Sequence, residues 1–119
     1  MSVTLLTNSS ITPTLALNAQ TGTTYTPVLG DGNNTLVTLS NASAITLTIP
    51  PNSSVAYPVG TVLKFAATGA GQVSVAQGSG VTITSTGATA SAPKLRVQYS
   101  SAVAVQTSAN NWLVIGDLA

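Results

Sequence analysis

Between Ile45 and Ile49 apolar side chains and threonines alternate strictly, Ile-Thr-Leu-Thr-Ile, and the alternation stops at Pro50-Pro51. A period of two places Ile45, Leu47 and Ile49 on one face of an extended strand and Thr46 and Thr48 on the other. The prolines end the strand because they cannot donate to a ladder. The same grammar recurs along the chain: apolar residues return at i, i+2 and i+4, and most are β-branched. It predicts strands over 3–6, 14–17, 23–28, 35–40, 44–49, 61–67, 72–76, 81–85, 94–99, 102–107 and 111–115. Helical periodicity is nearly absent.

Turn chemistry separates these runs. Gly30-Asp31-Gly32-Asn33-Asn34, Gly69-Ala70-Gly71 and Gly78-Ser79-Gly80 supply residues that tolerate positive φ, and 72–76 with 81–85 reads as a hairpin. Strands arriving about every 8 to 12 residues with turns between them predict an all-β fold, an antiparallel β-sandwich or barrel-like domain of short strands. No linker divides the 119 residues and no period repeats, so one β domain is expected over 23–119. Residues 1–22 carry a sparser pattern, either first strands or an N-terminal arm laid across a neighbour. In 94–99 the alternation sets Leu95, Val97 and Tyr99 against Lys94, Arg96 and Gln98, a stripe that solubilises an exposed face. Residues 102–105 and 112–115 are apolar on both faces, which predicts central strands or cover by another subunit.

Composition changes this picture at one point: charge. Only Lys64, Lys94, Arg96, Asp31 and Asp117 are charged, 4% of residues where about 25% is usual, and there is no Glu, His or Cys. A net charge of +1 offers no footprint for nucleic acid or an anionic membrane. The chain is nevertheless 44% apolar with a mean hydropathy of +0.41, so order is expected rather than disorder. A polar surface made of Thr, Ser, Asn and Gln repels its neighbours weakly and suits a protein that lives assembled. The start, Ser-Val-Thr-Leu-Leu-Thr-Asn, lacks a basic region and a long apolar core, and is not read as a signal peptide. No apolar run approaches a membrane span. The Asn-x-Ser/Thr triplets at Asn8, Asn33, Asn41 and Asn52 are read as by-products of an Asn/Ser/Thr-rich surface.

Candidate chemistry is sparse. General acid-base catalysis wants His or a pair of carboxylates with split pKa values, and only Asp31 and Asp117 are available, each beside a glycine. A serine nucleophile would have only Lys64 or Lys94 as a base. Asp31-Gly32-Asn33 has the opening of a calcium loop without its bidentate Glu, and Gly69-Ala70-Gly71-Gln72 lacks the Lys of a phosphate loop. Both are expected to be turns. Of the aromatics Tyr25, Tyr57, Phe65, Tyr99 and Trp112, at least Phe65, Tyr99 and Trp112 fall inside strand patterns and are expected in the core. No enzyme, catalytic residue, metal or cofactor is expected.

Three stretches carry a resemblance: Tyr25-Thr26-Pro27-Val28, residues 36–42, and Thr48-Ile49-Pro50-Pro51-Asn52-Ser53-Ser54-Val55-Ala56-Tyr57-Pro58-Val59-Gly60-Thr61. With Gly69-Ala70-Gly71-Gln72-Val73-Ser74-Val75, Gly80-Val81-Thr82-Ile83 and the closing Asn111-Trp112-Leu113-Val114-Ile115-Gly116-Asp117-Leu118, the chain resembles β domains of tailed-bacteriophage virion proteins over about residues 16–119. Such domains occur in tail fibres, head fibres and capsid decoration proteins. About 20 residues precede the domain, too few for a fibre stalk, which favours a capsid decoration or cement protein over a tail or head fibre component. The resemblance implies a homotrimer on the virion capsid surface, bound to the major capsid protein or another virion protein.

Overall fold

A computed structural model describes residues 14–119. Nine strands build it: β1 (Ala16–Gln20), β2 (Thr24–Tyr25), β3 (Thr35–Leu39), β4 (Ile45–Ile49), β5 (Val62–Ala67), β6 (Val73–Gln77), β7 (Thr82–Ser85), β8 (Ser101–Ser108) and β9 (Asn111–Gly116). Leu29–Gly32 forms the one helical turn among the described residues, of 3-10 type. The fold is all-β. The expected strand at 3–6 lies outside the described residues.

The strands form two sheets, one in the order β1-β3-β5-β8-β9-β7 and one in the order β2-β4-β6. Five of the seven strand pairs are parallel; only β5 with β8 and β8 with β9 are antiparallel. The expectation of mainly antiparallel pairing is therefore corrected. The chain winds as a coil, laying β1, β3 and β5 side by side in the larger sheet and β2, β4 and β6 side by side in the smaller one. Each circuit stacks on the one before, as in repeat proteins. The expected hairpin between 72–76 and 81–85 is also absent: β6 pairs with β4, and β7 crosses to the other sheet to pair with β9.

The corners stack as well as the strands. Gly71 donates its N–H to the Asn41 carbonyl at 2.7 Å, Ile45 to Gln72 at 2.9 Å, and Asn41 Nδ2 to the Thr21 carbonyl at 2.8 Å. So Gly69-Ala70-Gly71 is a coil corner seated on the corner beneath it. Neither of its glycines takes positive φ. They are glycines because of what lies against them: a Cβ on Gly69 would sit 2.5 Å from the Asn41 nitrogen, and one on Gly71 would overlap the Ser43 carbonyl.

One core joins the sheets. Val37, Leu39, Leu63 and Phe65 from the larger sheet pack in a single cluster with Ile45, Leu47, Ile49, Val73 and Val75 from the smaller one. Each such side chain contributes about 1.5–3 kcal/mol by leaving water. Alternation in β4 is as expected: Ile45, Leu47 and Ile49 are buried, Thr46 and Thr48 are not. Trp112 closes the cluster, its ring edge-to-face with Tyr57 at a centroid distance of 5.5 Å. Beside it Gln106 is buried, its amide nitrogen oriented to donate to the carbonyls of Tyr57 (2.8 Å) and Pro58 (2.9 Å), which ties the 50–61 connection to β8.

Candidate functional site

Asp31 is 3% exposed, although its setting between two glycines reads as a surface turn. The 3-10 turn delivers its carboxylate to the inner side of the first coil. Oδ1 accepts from Asn18 Nδ2 at 2.9 Å; Oδ2 accepts from the Val28 backbone N–H at 2.9 Å and from the Tyr25 hydroxyl. Asn18 Nδ2 also reaches Tyr25 Oη at 2.8 Å, and Gln20 Nε2 donates to Asn18 Oδ1 at 2.7 Å. Both carboxylate oxygens face donors, and the arrangement is that of a buried acceptor with its hydrogen bonds made. Asn18 and Gln20 are set beside Val37 and Leu39 by the β1–β3 register. Where the next coil puts apolar side chains on the core, this first described coil puts amides, a tyrosine and a carboxylate. Among the described residues this coil is the first of the stack, and the network caps it in the manner of a terminal repeat.

Burial, and after it the Asp31 carboxylate, push the Tyr25 hydroxyl from 10.0 up to about 12. Burial first, then the Asp31 charge and Tyr25, also raise the Tyr57 hydroxyl, which donates to the Val28 carbonyl at 2.7 Å. The unfolded chain releases a tyrosine proton near pH 10, before folded Tyr25 does. Stability from this group is therefore full below about pH 10 and lost as pH rises toward about 12. Urea midpoints measured from pH 8 to pH 12 should stay level and then fall, and Tyr25→Phe should make that fall shallower. An unchanged slope in Tyr25→Phe would contradict the coupling.

The second acidic residue is committed elsewhere. Asp117 Oδ1 accepts from Arg96 Nε at 2.8 Å, and Oδ2 accepts from Arg96 Nη2 at 3.1 Å and from Ser100 Oγ at 2.6 Å. The Arg96 hydrogen bonds, then that from Ser100, hold the Asp117 carboxyl below its ordinary range, and the same contact raises the Arg96 guanidinium. Among the described residues Asp31 and Asp117 share no hydrogen-bond partner. Nothing here builds the two-carboxylate constellation weighed from the sequence.

Residues 94–99 depart from the expected strand. Leu95 is buried and Lys94 and Leu95 form single bridges to Ser74 and Leu118, but the strand ends there. Ser100 donates its N–H to the Val97 carbonyl at 3.0 Å and accepts the Val97 N–H on its hydroxyl at 3.1 Å, closing a turn. Val97 and Tyr99, expected inward, are outward instead: Tyr99 is 75% exposed and has φ +70°, a region that bulky residues rarely enter. Phe65 and Trp112 are in the core as expected. Lys94 and Arg96 are both exposed.

The outer face of the larger sheet is the most extensive feature that no contact among the described residues explains. Registers line up Leu17, Leu36, Lys64, Val103 and Ile115 in one row across β1, β3, β5, β8 and β9. Val62, Val105 and Leu113 form a second row beside it. Leu17 is 75% exposed and Ile115 53%. The double-sided apolar character of 102–105 and 112–115 thus resolves into a core face, with Ala102, Ala104, Trp112 and Val114, and this outward face. Thr, Ser or Lys would be ordinary at such positions of a solvated sheet; branched aliphatics are not. No protein-family model matches the chain, and no curated protein matches it.

Proposed function

We propose that this chain is a bacteriophage virion structural protein, a capsid decoration (cement) protein that self-associates, as a trimer, and clamps neighbouring capsid subunits. The phage setting and the trimer rest on the sequence resemblance. What supports an assembled life is the apolar outer face of the larger sheet, with Leu17 and Ile115 exposed in one row. Burying it would supply the driving force, with backbone pairing at the open edge of β1, whose one neighbour among the described residues is β3, adding to it. No catalytic step is assigned.

Electron microscopy of intact particles tests this directly. The expected result is density for this chain on the capsid surface at a fixed ratio to the major capsid protein, unchanged after washing in moderate salt because so few charges are involved. Absence from the capsid overturns the placement.

Tyr99 favours a second reading, a fibre component that recognises the host surface. An exposed tyrosine beside exposed Gln98 on a turn tip is the aromatic-plus-amide pairing that sugar recognition uses. Glycan binding abolished by Tyr99→Ala would select this reading over the first.

A further inference from the structure

The outer face of the larger sheet contains one charge, and it sits in the middle. Lys64 is flanked in register by Leu36 on one side and Val103 on the other, with Leu17 and Ile115 beyond them. β5 is an interior strand of the sheet, so this lysine is not an edge residue placed to block strand addition. Its Nζ donates to Asn34 Oδ1 at 3.3 Å, and it makes no ion pair among the described residues.

The chain cannot neutralise it. Its side-chain carboxylates are Asp31 and Asp117 alone. Asp31 is buried with both oxygens bonded, and Asp117 is held by Arg96 and Ser100. A second copy docked face to face about a two-fold axis would set lysine against lysine, and a copy docked in any other way brings no free side-chain carboxylate. Covering an unpaired ammonium is costly, whereas covering a paired one is tolerated. Nucleic acid is an equally poor fit, since phosphate recognition needs clustered cations and this face has one.

We infer that this face docks a different protein, one presenting an apolar strip with an Asp or Glu placed to meet Lys64. The inference rests on the proposed function for the partner's being a virion protein, but not for the surface itself. It separates two contacts: copies of this chain associate elsewhere, and the outer face of the larger sheet is kept for the foreign partner. A pair buried in that way is screened little by salt, in keeping with attachment that survives moderate ionic strength.

Zero-length carbodiimide coupling, which joins amines to touching carboxylates, tests this on purified particles with peptide mapping as the readout. Lys64 should be joined to an Asp or Glu of another virion protein. Lys64→Glu should fold with an unchanged melting temperature yet lose about tenfold or more in occupancy, restored when the partner's mapped carboxylate is changed to lysine. Lys64→Arg should keep its occupancy. Lys64 left uncoupled, Lys64 joined to a second copy of this chain, or full occupancy of Lys64→Glu would each overturn the inference. Should particles carry no copy of this chain, the proposed function fails, and the same coupling and charge swap in intact producing cells still decide the surface.

Discussion

Gly71→Ala is expected to lower the free energy of unfolding by roughly 3 kcal/mol or more, while Gly30→Ala leaves it unchanged or slightly raised. Both glycines lie in stretches with the same turn-like composition, so propensity does not separate them. Space does. A Cβ on Gly30 meets nothing within 4 Å, whereas one on Gly71 overlaps the Ser43 carbonyl and lies 2.7 Å from the Asn41 oxygen. Those obstacles are backbone atoms, and the Asn41 oxygen already accepts the Gly71 N–H at 2.7 Å. Relief would have to pry one coil corner from the next and weaken that bond, worth about 1 kcal/mol itself. Urea unfolding of both variants reads the difference. A Gly71→Ala protein within about 0.5 kcal/mol of the parent would mean that the corners are not in contact.

The same glycine explains why the topology was hidden in the sequence. Alternation reports which side of a strand is buried, and β3, β4, β5, β6, β8 and β9 follow it closely. It does not report which strand is the neighbour. A Gly-Ala-Gly between two alternating runs serves a hairpin turn and a coil corner equally well, and only the second requires close approach to a distant corner. Regular repeats would have betrayed the coil, but its steps are unequal: Ala16 lies against Thr35, whereas Leu36 lies against Lys64, after a longer circuit. The extra length is the 50–61 connection, anchored by Gln106 and Tyr57.

Surface features were legible to a lesser degree. The apolar outer face was signalled in part by 102–105 and 112–115, which are apolar on both sides, but its row through Leu17 and Leu36 depends on parallel register. Tyr99 was misplaced because Val97-Gln98-Tyr99-Ser100 contains no Gly, Pro, Asn or Asp to mark a turn. The turn is imposed from a distance instead, by Ser100 bonding to Asp117 across from β9. Asp31 had a local signal, its flanking glycines, that pointed to a turn and was right about the backbone. That signal held no information on the side chain, whose partners Asn18 and Tyr25 come from other strands.

Asp31→Ala is the sharpest test of what that side chain does, and the expected loss is about 3–5 kcal/mol. Three donors lose a bond to the carboxylate at once: Asn18 Nδ2, which keeps its contact to Tyr25 Oη, the Tyr25 hydroxyl and the Val28 N–H. Two belong to strands of the first coil and the third to the residue entering the 3-10 turn, so the damage concentrates at the capped end of the stack. Asp31→Asn should lose less, because it keeps one acceptor oxygen while turning an amide toward the remaining donors. Both losses should be visible in urea unfolding at neutral pH, and Asp31→Ala should also associate more readily in sedimentation as the cap loosens. The sign of the change carries the argument. A carboxylate retained for catalysis or metal binding is held at some cost to the fold, and its removal commonly stabilises the protein. A carboxylate that satisfies the donors of its own coil does the opposite. A gain in stability on removing Asp31 would therefore reopen the chemical reading of this residue, and the expected loss ties it to the architecture that presents the apolar face.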